Sequence, residues 1–103
     1  MNNFPFKEKI LEETEKHTVL ERFFLKDLNE EELIWHRDKE DREVFVLEGE
    51  GWYIQFENEL PRLMHVNSFF KINRNIYHRL ISKNISNLKI KLVKHKQRKY
   101  HEN

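Results

Sequence analysis

The sequence predicts an all-β domain, a sandwich or closed barrel of short strands, with one helix ahead of it. Two observations predict it. Apolar and polar residues alternate with a period of two in short segments between Thr18 and Lys94, as they do in strands with one buried face. The breaks between these segments fall on Asn, Gly, Ser and Pro, the residues that turns select.

The elements follow in chain order. Asn3 can cap a helix, and Pro5 sits in its first turn, where a missing N–H costs nothing. Phe6, Ile10 and Leu11 then form a narrow apolar stripe at helical spacing, so a helix is expected to about Lys16, packing on the barrel exterior. Thr18 to Leu28 is rich in β-formers and reads as the first strand, closed by the polar turn Asn29-Glu30-Glu31. Leu33 to Asp38 is the second strand, with Ile34, His36 and Asp38 on one face and Trp35 and Arg37 on the other. Arg42 to Leu47 is the third, with Val44 and Val46 opposite Phe45 and Leu47; Gly49-Glu50-Gly51 closes it. Trp52 to Glu57 alternates strongly, and Pro61 marks the loop that follows. Arg62 to Val66, Phe69 to Ile72, Ile76 to Ser82 and Leu88 to Lys94 complete the set. The chain therefore divides into a helix at 1–17, a β-domain at 18–95 and a basic tail at 96–103 that lacks apolar periodicity.

A chain of 103 residues supports one domain with a modest core, to which eight Phe and two Trp contribute heavily. The net charge of +1 creates no global field for nucleic acid or lipid, although the halves differ. Residues 1–33 carry five basic against nine acidic side chains, whereas Lys94, Lys96, Arg98 and Lys99 crowd the C-terminus. With no Cys there is neither a disulfide nor thiolate chemistry. No apolar run approaches the ~20 residues needed to cross a bilayer, and the acidic N-terminus is unlike a signal peptide. The expectation is a soluble cytoplasmic protein with a small-molecule ligand and no membrane or nucleic-acid partner. The short basic run near the C-terminus, whose aromatic is Tyr100, reads as a solvated terminus.

The stretch from Ile34 to Trp52 resembles the first signature of the cupin superfamily: His-x-His, three or four residues, Glu, six residues, Gly. His36, Asp38, Arg42 and Gly49 fall at those spacings, with Asp38 at the second His and Arg42 at the Glu. The second signature reads Gly, five residues, Pro-x-Gly, two residues, His, three residues, Asn. Asn67, Asn73, Asn75, His78 and Ser82 hold every spacing. Asn at the two glycine positions is physically reasonable, because Asn tolerates positive φ better than most residues. The resemblance covers roughly residues 18 to 95 and implies a small single-domain cupin of the RmlC-like jelly-roll superfamily.

It also implies a site. His36 and His78 occupy ligand positions on apolar faces, and Asp38 completes a two-His-one-carboxylate set. Such a set leaves coordination positions open and suits divalent Fe, Mn, Ni or Zn. The implied function is a metal-dependent enzyme, dioxygenase- or isomerase-like. The alternative is a metal-free cupin that grips a small anionic or sugar ligand through Arg42, Arg79 and Tyr77, with the histidines as acid or base. For Arg42 itself, an ion pair with Asp38 or Glu40 competes with an anion clamp. His17, His65 and His95 read as solvated or capping residues, and His101 lies in the tail. Trp35, Phe45 and Leu47 face outward and need cover, either in a homodimer or from the N-terminal helix.

Overall fold

The computed structural model describes residues 6–27 and 34–96. Eight strands form two antiparallel sheets: β1 (Phe6–Glu13), β2 (His17–Phe24), β3 (Arg42–Glu48), β4 (Trp52–Phe56), β5 (Arg62–Leu63), β6 (Phe69–Ile72), β7 (His78–Ser82) and β8 (Leu88–His95). The larger sheet has the order β1-β2-β8-β3-β6 and the smaller β5-β4-β7. Side chains that alternate inward from the two sheets meet in one core. β2 contributes Leu20 and Phe24, β3 Val44 and Val46, β4 Trp52, Ile54 and Phe56, and β8 Leu88, Ile90 and Leu92. Met64, Ile72 and Leu80 close it. Trp52 is wholly buried and still satisfies its indole, which donates to the Ser86 carbonyl at 2.7 Å.

Two expectations are corrected here. Residues 6–13 form an edge strand, not a helix, and no helix occurs among the described residues; Asn3 and Pro5 lie outside them. The apolar stripe is too narrow to bury a helix face: Ile10 and Leu11 remain exposed, and Phe6 alone reaches the core. Extended backbone instead pairs with the open edge of β2, from Phe6↔Phe24 to Glu13↔Thr18, with a bulge near Ile10. Phe6 packs edge-on against Phe24 at 5.5 Å, and its ring lies 3.9 Å below the Arg22 guanidinium. The charges along β1 suit an exposed edge, because they discourage pairing with another chain. The second correction concerns residues 33–38. The described part, from Ile34, makes one bridge, His36↔His78, and is not a full strand. β5 is likewise cut to two residues, and the turn at 29–31 and the tail beyond Lys96 lie outside the described residues.

The turns carry the backbone expected of the signature positions. Asn67 and Asn75 have φ of 73° and 66°, in the left-handed region where Asn costs less than other side chains. Gly49 has φ 148°, and a Cβ there would lie 2.9 Å from Leu88 Cδ1, so the close approach of the two strands needs glycine. No helix among the described residues is long and apolar enough to cross a membrane.

The outward apolar residues do not form one patch. Phe45 and Leu47 lie on the outer face of the larger sheet, where Phe45 packs on Phe69 at 5.0 Å. Trp35 lies beside the smaller sheet under the Arg79 guanidinium, at 4.8 Å. Among the described residues no N-terminal helix covers them, because residues 6–13 form strand β1.

Phe24 is fully buried between Phe6 and Trp52. Phe24→Ala is expected to cost about 3–5 kcal/mol in urea unfolding, whereas Ile10→Ala on the exposed edge should stay within about 0.5 kcal/mol. Equal losses would contradict the edge-strand placement.

Candidate metal centre

His36 and His78 face each other as an antiparallel backbone pair. The His36 N–H donates to the His78 carbonyl at 3.0 Å, and the His78 N–H donates back to His36 at 2.8 Å. This pairing puts both imidazoles on the inner face, with ring centres 4.4 Å apart. The Nδ1 of His36 lies 2.9 Å from the Ile34 carbonyl, and that of His78 lies 2.8 Å from the Ile76 carbonyl. A carbonyl only accepts, so each Nδ1 carries the proton and donates it. The lone pair of each neutral ring is therefore on Nε2, the tautomer that metal-binding histidines adopt when a backbone carbonyl orients them.

Asp38 is placed by the other signature stretch. The Asn75 N–H, at a left-handed residue, donates to the Asp38 carbonyl at 2.7 Å, and the Arg74 N–H donates to Asp41 Oδ1 at 2.7 Å. The Asp38 carboxylate then lies with Oδ2 3.3 Å from His78 Nε2 and Oδ1 3.4 Å from Arg42 Nη2. Oδ2 is buried and lacks a hydrogen bond. Ligand atoms of His36, Asp38 and His78 all lie within 4.8 Å of one another. A neutral His78 would set a lone pair against a carboxylate oxygen. That contact is favourable only if His78 takes a second proton or a cation lies between them. The donor set, the tautomers and the orphaned oxygen all fit a divalent ion.

Arg42 is fully engaged at the rim. Its Nε donates to Glu40 Oε2 at 2.9 Å, and Nη2 lies 2.8 Å from the same oxygen, beside the Asp38 contact. The ion pair is thus what forms in this structure. The two carboxylates offset the charge that a guanidinium would otherwise present to a nearby cation. Tyr77 and Arg79 are not brought to the cluster. Arg79 flanks His78 on the strand, so it points to the opposite face, where it donates to Gln55 Oε1 at 2.9 Å and covers Trp35. Tyr77 is exposed beneath Arg37, 5.2 Å from its ring centre. Arg42, Tyr77 and Arg79 therefore do not form a single clamp.

Two further cations face inward. Arg22, only 5% exposed, lies between Leu20 and Phe24 on the inner face of β2, and its Nε donates to Glu8 Oε2 at 2.7 Å. Lys94 continues the buried row Leu88, Ile90 and Leu92 and is the register partner of Arg42. Both were detectable as a charged residue in step with an apolar strand face. The interior cavity between Arg22, His36, Arg42 and His78 has about 30 Å³, enough for about two waters or an ion. A polar groove of about 330 Å³ lies alongside, lined by Phe56, Glu57, Asn58, Glu59, Arg62, Lys71, Asn73 and Ile76. Phe56 joins it to the site, with its ring 6.3 Å from that of His78. The other described histidines lie outside the cluster: His17 approaches Glu12 at 3.8 Å, His95 approaches Glu43 at 3.3 Å, and His65 is exposed.

Comparison with solved structures assigns the fold. The chain superposes on a proposed mannose-6-phosphate isomerase from Ralstonia eutropha with a TM-score of 0.74 at 15% identity, covering 89% of this chain and 85% of that one. It superposes on KdgF from Halomonas sp. with a TM-score of 0.73 at 17% identity, covering 94% and 87%. An RmlC-like cupin with a double-stranded β-helix fold from Methanocaldococcus jannaschii gives 0.71 at 14% identity, covering 92% and 84%. No family model matches the chain, and no curated protein matches it by sequence. The chain is a small cupin-fold domain, with the RmlC-like jelly roll that the signature spacings implied.

Burial works to raise the Asp38 carboxyl. The interaction with His78 and the charges of Arg42, His78 and His36 outweigh it and hold the group below its ordinary value of 3.8. A carboxyl lowered on folding stabilises the protein above its unfolded value, and that contribution is lost as pH falls through the folded one. In metal-free protein, unfolding stability should therefore fall as pH drops below 3.8, and Asp38→Asn should flatten that acid limb. Parallel acid limbs in urea titrations would show that Asp38 is not held by these charges.

Proposed function

We propose that this chain is a small metal-dependent cupin enzyme, of the isomerase or dioxygenase kind, with a divalent ion held by His36, Asp38 and His78. The observation that carries the proposal is the tautomer arrangement. Both Nδ1 protons are spent on backbone carbonyls, which turns lone-pair nitrogens toward a buried carboxylate oxygen that lacks a hydrogen bond. A bound ion would supply Lewis acidity and open coordination positions to oxygen atoms of a substrate. The protein's own side chains do the rest. The carbonyls of Ile34 and Ile76 fix the ring orientations, and Glu40 holds Arg42 beside Asp38. The interior is too small for an organic substrate. The polar groove beyond Phe56 is therefore the substrate site in this reading, with Arg62 and Lys71 facing a hydroxyl-rich or anionic molecule. The likeness to a proposed sugar-phosphate isomerase is in keeping with such a ligand.

Protein purified without chelator or metal-affinity resin is expected to carry about one divalent ion per chain. His36→Ala and His78→Ala should each lose it, a larger effect than the ~10–100-fold typical of removing a residue that only orients a ligand. Arg42→Gln should retain the ion. Metal-free native protein, or histidine variants that bind as well as the parent, would contradict the proposal.

A homodimer belongs to the same proposal, through the outer face of the larger sheet around Phe45, Leu47 and the exposed Phe69. Replacing Phe45 and Phe69 by Ser should convert a dimer to a monomer in light scattering. A native monomer at high concentration would exclude it.

A further inference from the structure

The backbone pair that turns His36 and His78 inward sets their neighbours on the outer face of the smaller sheet. There Trp35 meets Arg79, whose guanidinium carbon lies 4.8 Å from the indole centre, and Arg37 meets Tyr77 at 5.2 Å. Further along the same face Tyr53 and Ile81 are register partners, and Lys83 Nζ lies 5.8 Å from the Tyr53 ring. Three rings and three cations are thus interleaved on one face, each pair within the ~6 Å at which a ring attracts a cation. Trp35 and Tyr77 still remain 40% exposed. Arg37, Arg79 and Lys83 have no carboxylate at ion-pair distance among the described residues. Arg79 donates instead to the neutral Gln55, and Glu57, whose N–H donates to the Tyr77 carbonyl, borders the face. The outer face of the larger sheet differs, because Lys89 and His95 there approach Glu21 and Glu43. The net charge of +1 is therefore an average that hides a cationic, aromatic face. An open groove of about 390 Å³, lined by Tyr53, Leu60, Pro61, Ile81 and Lys83, continues it.

We propose that this face binds single-stranded nucleic acid, with bases stacking at Trp35, Tyr77 and Tyr53 and phosphates meeting Arg37, Arg79 and Lys83. Bases and phosphates alternate along such a strand, as rings and cations alternate here. The guanidinium over a ring does not block stacking, because its own plane is a surface on which bases stack. A neutral sugar polymer packs its C–H faces on bare rings, and a cation over each of the three works against it. An acidic polypeptide would satisfy the cations but leave the rings and the groove at Tyr53 unfilled. A duplex keeps its bases inside the stack and offers phosphates alone. Stacking and charge read neither base identity nor the sugar hydroxyl, so binding is sequence-tolerant. The groove is separate from the one beyond Phe56, and no metal enters, so this binding stands or falls separately from the proposed enzyme activity.

The test is fluorescence anisotropy of a labelled oligothymidylate of about 12 nucleotides, inside the ~4–16-nucleotide range of single-strand-binding β-domains, titrated with the native chain. Affinity should fall with salt with a log–log slope of about −2, since each of the three neutralised phosphates contributes about −0.7. Trp52 is wholly buried, so quenching of the tryptophan emission on binding should report stacking at Trp35. Arg37→Gln should make the slope shallower by about 0.7, and Tyr77→Ala should weaken binding about fivefold or more. Both replaced side chains are exposed, so the fold should survive, and Lys89→Gln on the larger sheet should change neither quantity. No binding by the native chain, or a duplex or polyglutamate bound as tightly as the single strand, would overturn the proposal. So would binding without quenching, or an Arg37→Gln variant with the parent's affinity and slope.

Discussion

The backbone pair between His36 and His78 is the constraint on which the site depends. Its two hydrogen bonds tie the segment before β3 to the first residue of β7. The pairing sets both imidazoles side by side on the inner face. The same pairing leaves the carbonyls of Ile34 and Ile76 two residues upstream, where each can take an Nδ1 proton. Position and tautomer therefore follow from one local piece of antiparallel ladder. Asp38, two residues beyond His36, inherits the same face and is fixed by the left-handed turn at Asn75. A shift of one residue in this register would turn all three side chains away from the interior.

Charge inside the barrel is organised around that cluster. A buried guanidinium is tolerated only when its hydrogen-bonding capacity and charge are met nearby. Glu8, supplied by the edge strand β1, meets Arg22, and Glu40, supplied by the loop before β3, meets Arg42. β1 therefore has a role beyond covering a sheet edge: it brings the carboxylate that lets Arg22 occupy a core position.

The jelly roll was legible where one strand face is fully apolar. In β3, β4 and β8 alternation alone marks the buried side, and the structure follows it residue by residue. The clustering of His36, Asp38 and His78 was legible because signature spacing and strand alternation coincided at these residues. The N-terminal segment was misread because Phe6, Ile10 and Leu11 fit helical spacing, while the interactions that make it a strand are long-range: the free edge of β2, the Phe24 ring and the Arg22 guanidinium. Tyr77 and Arg79, expected as ligand-binding residues, are not brought to the cluster, for a simpler reason. They flank His78, and a strand sends neighbours to opposite faces. The same rule, applied to Arg22 and Lys94, would have placed both inside.

The proposed metal centre rests on two imidazoles whose Nε2 atoms serve a cation, and side-chain nitrogen NMR reads this directly. In long-range ¹H–¹⁵N spectra of the labelled protein, His36 and His78 should both carry their proton on Nδ1 when zinc is added as a probe. Their Nε2 resonances should shift and saturate near one equivalent, while those of His17, His65 and His95 stay in place. Protonation of either site ring on Nε2 in the zinc-loaded protein, or Nε2 resonances unmoved by zinc, would contradict it.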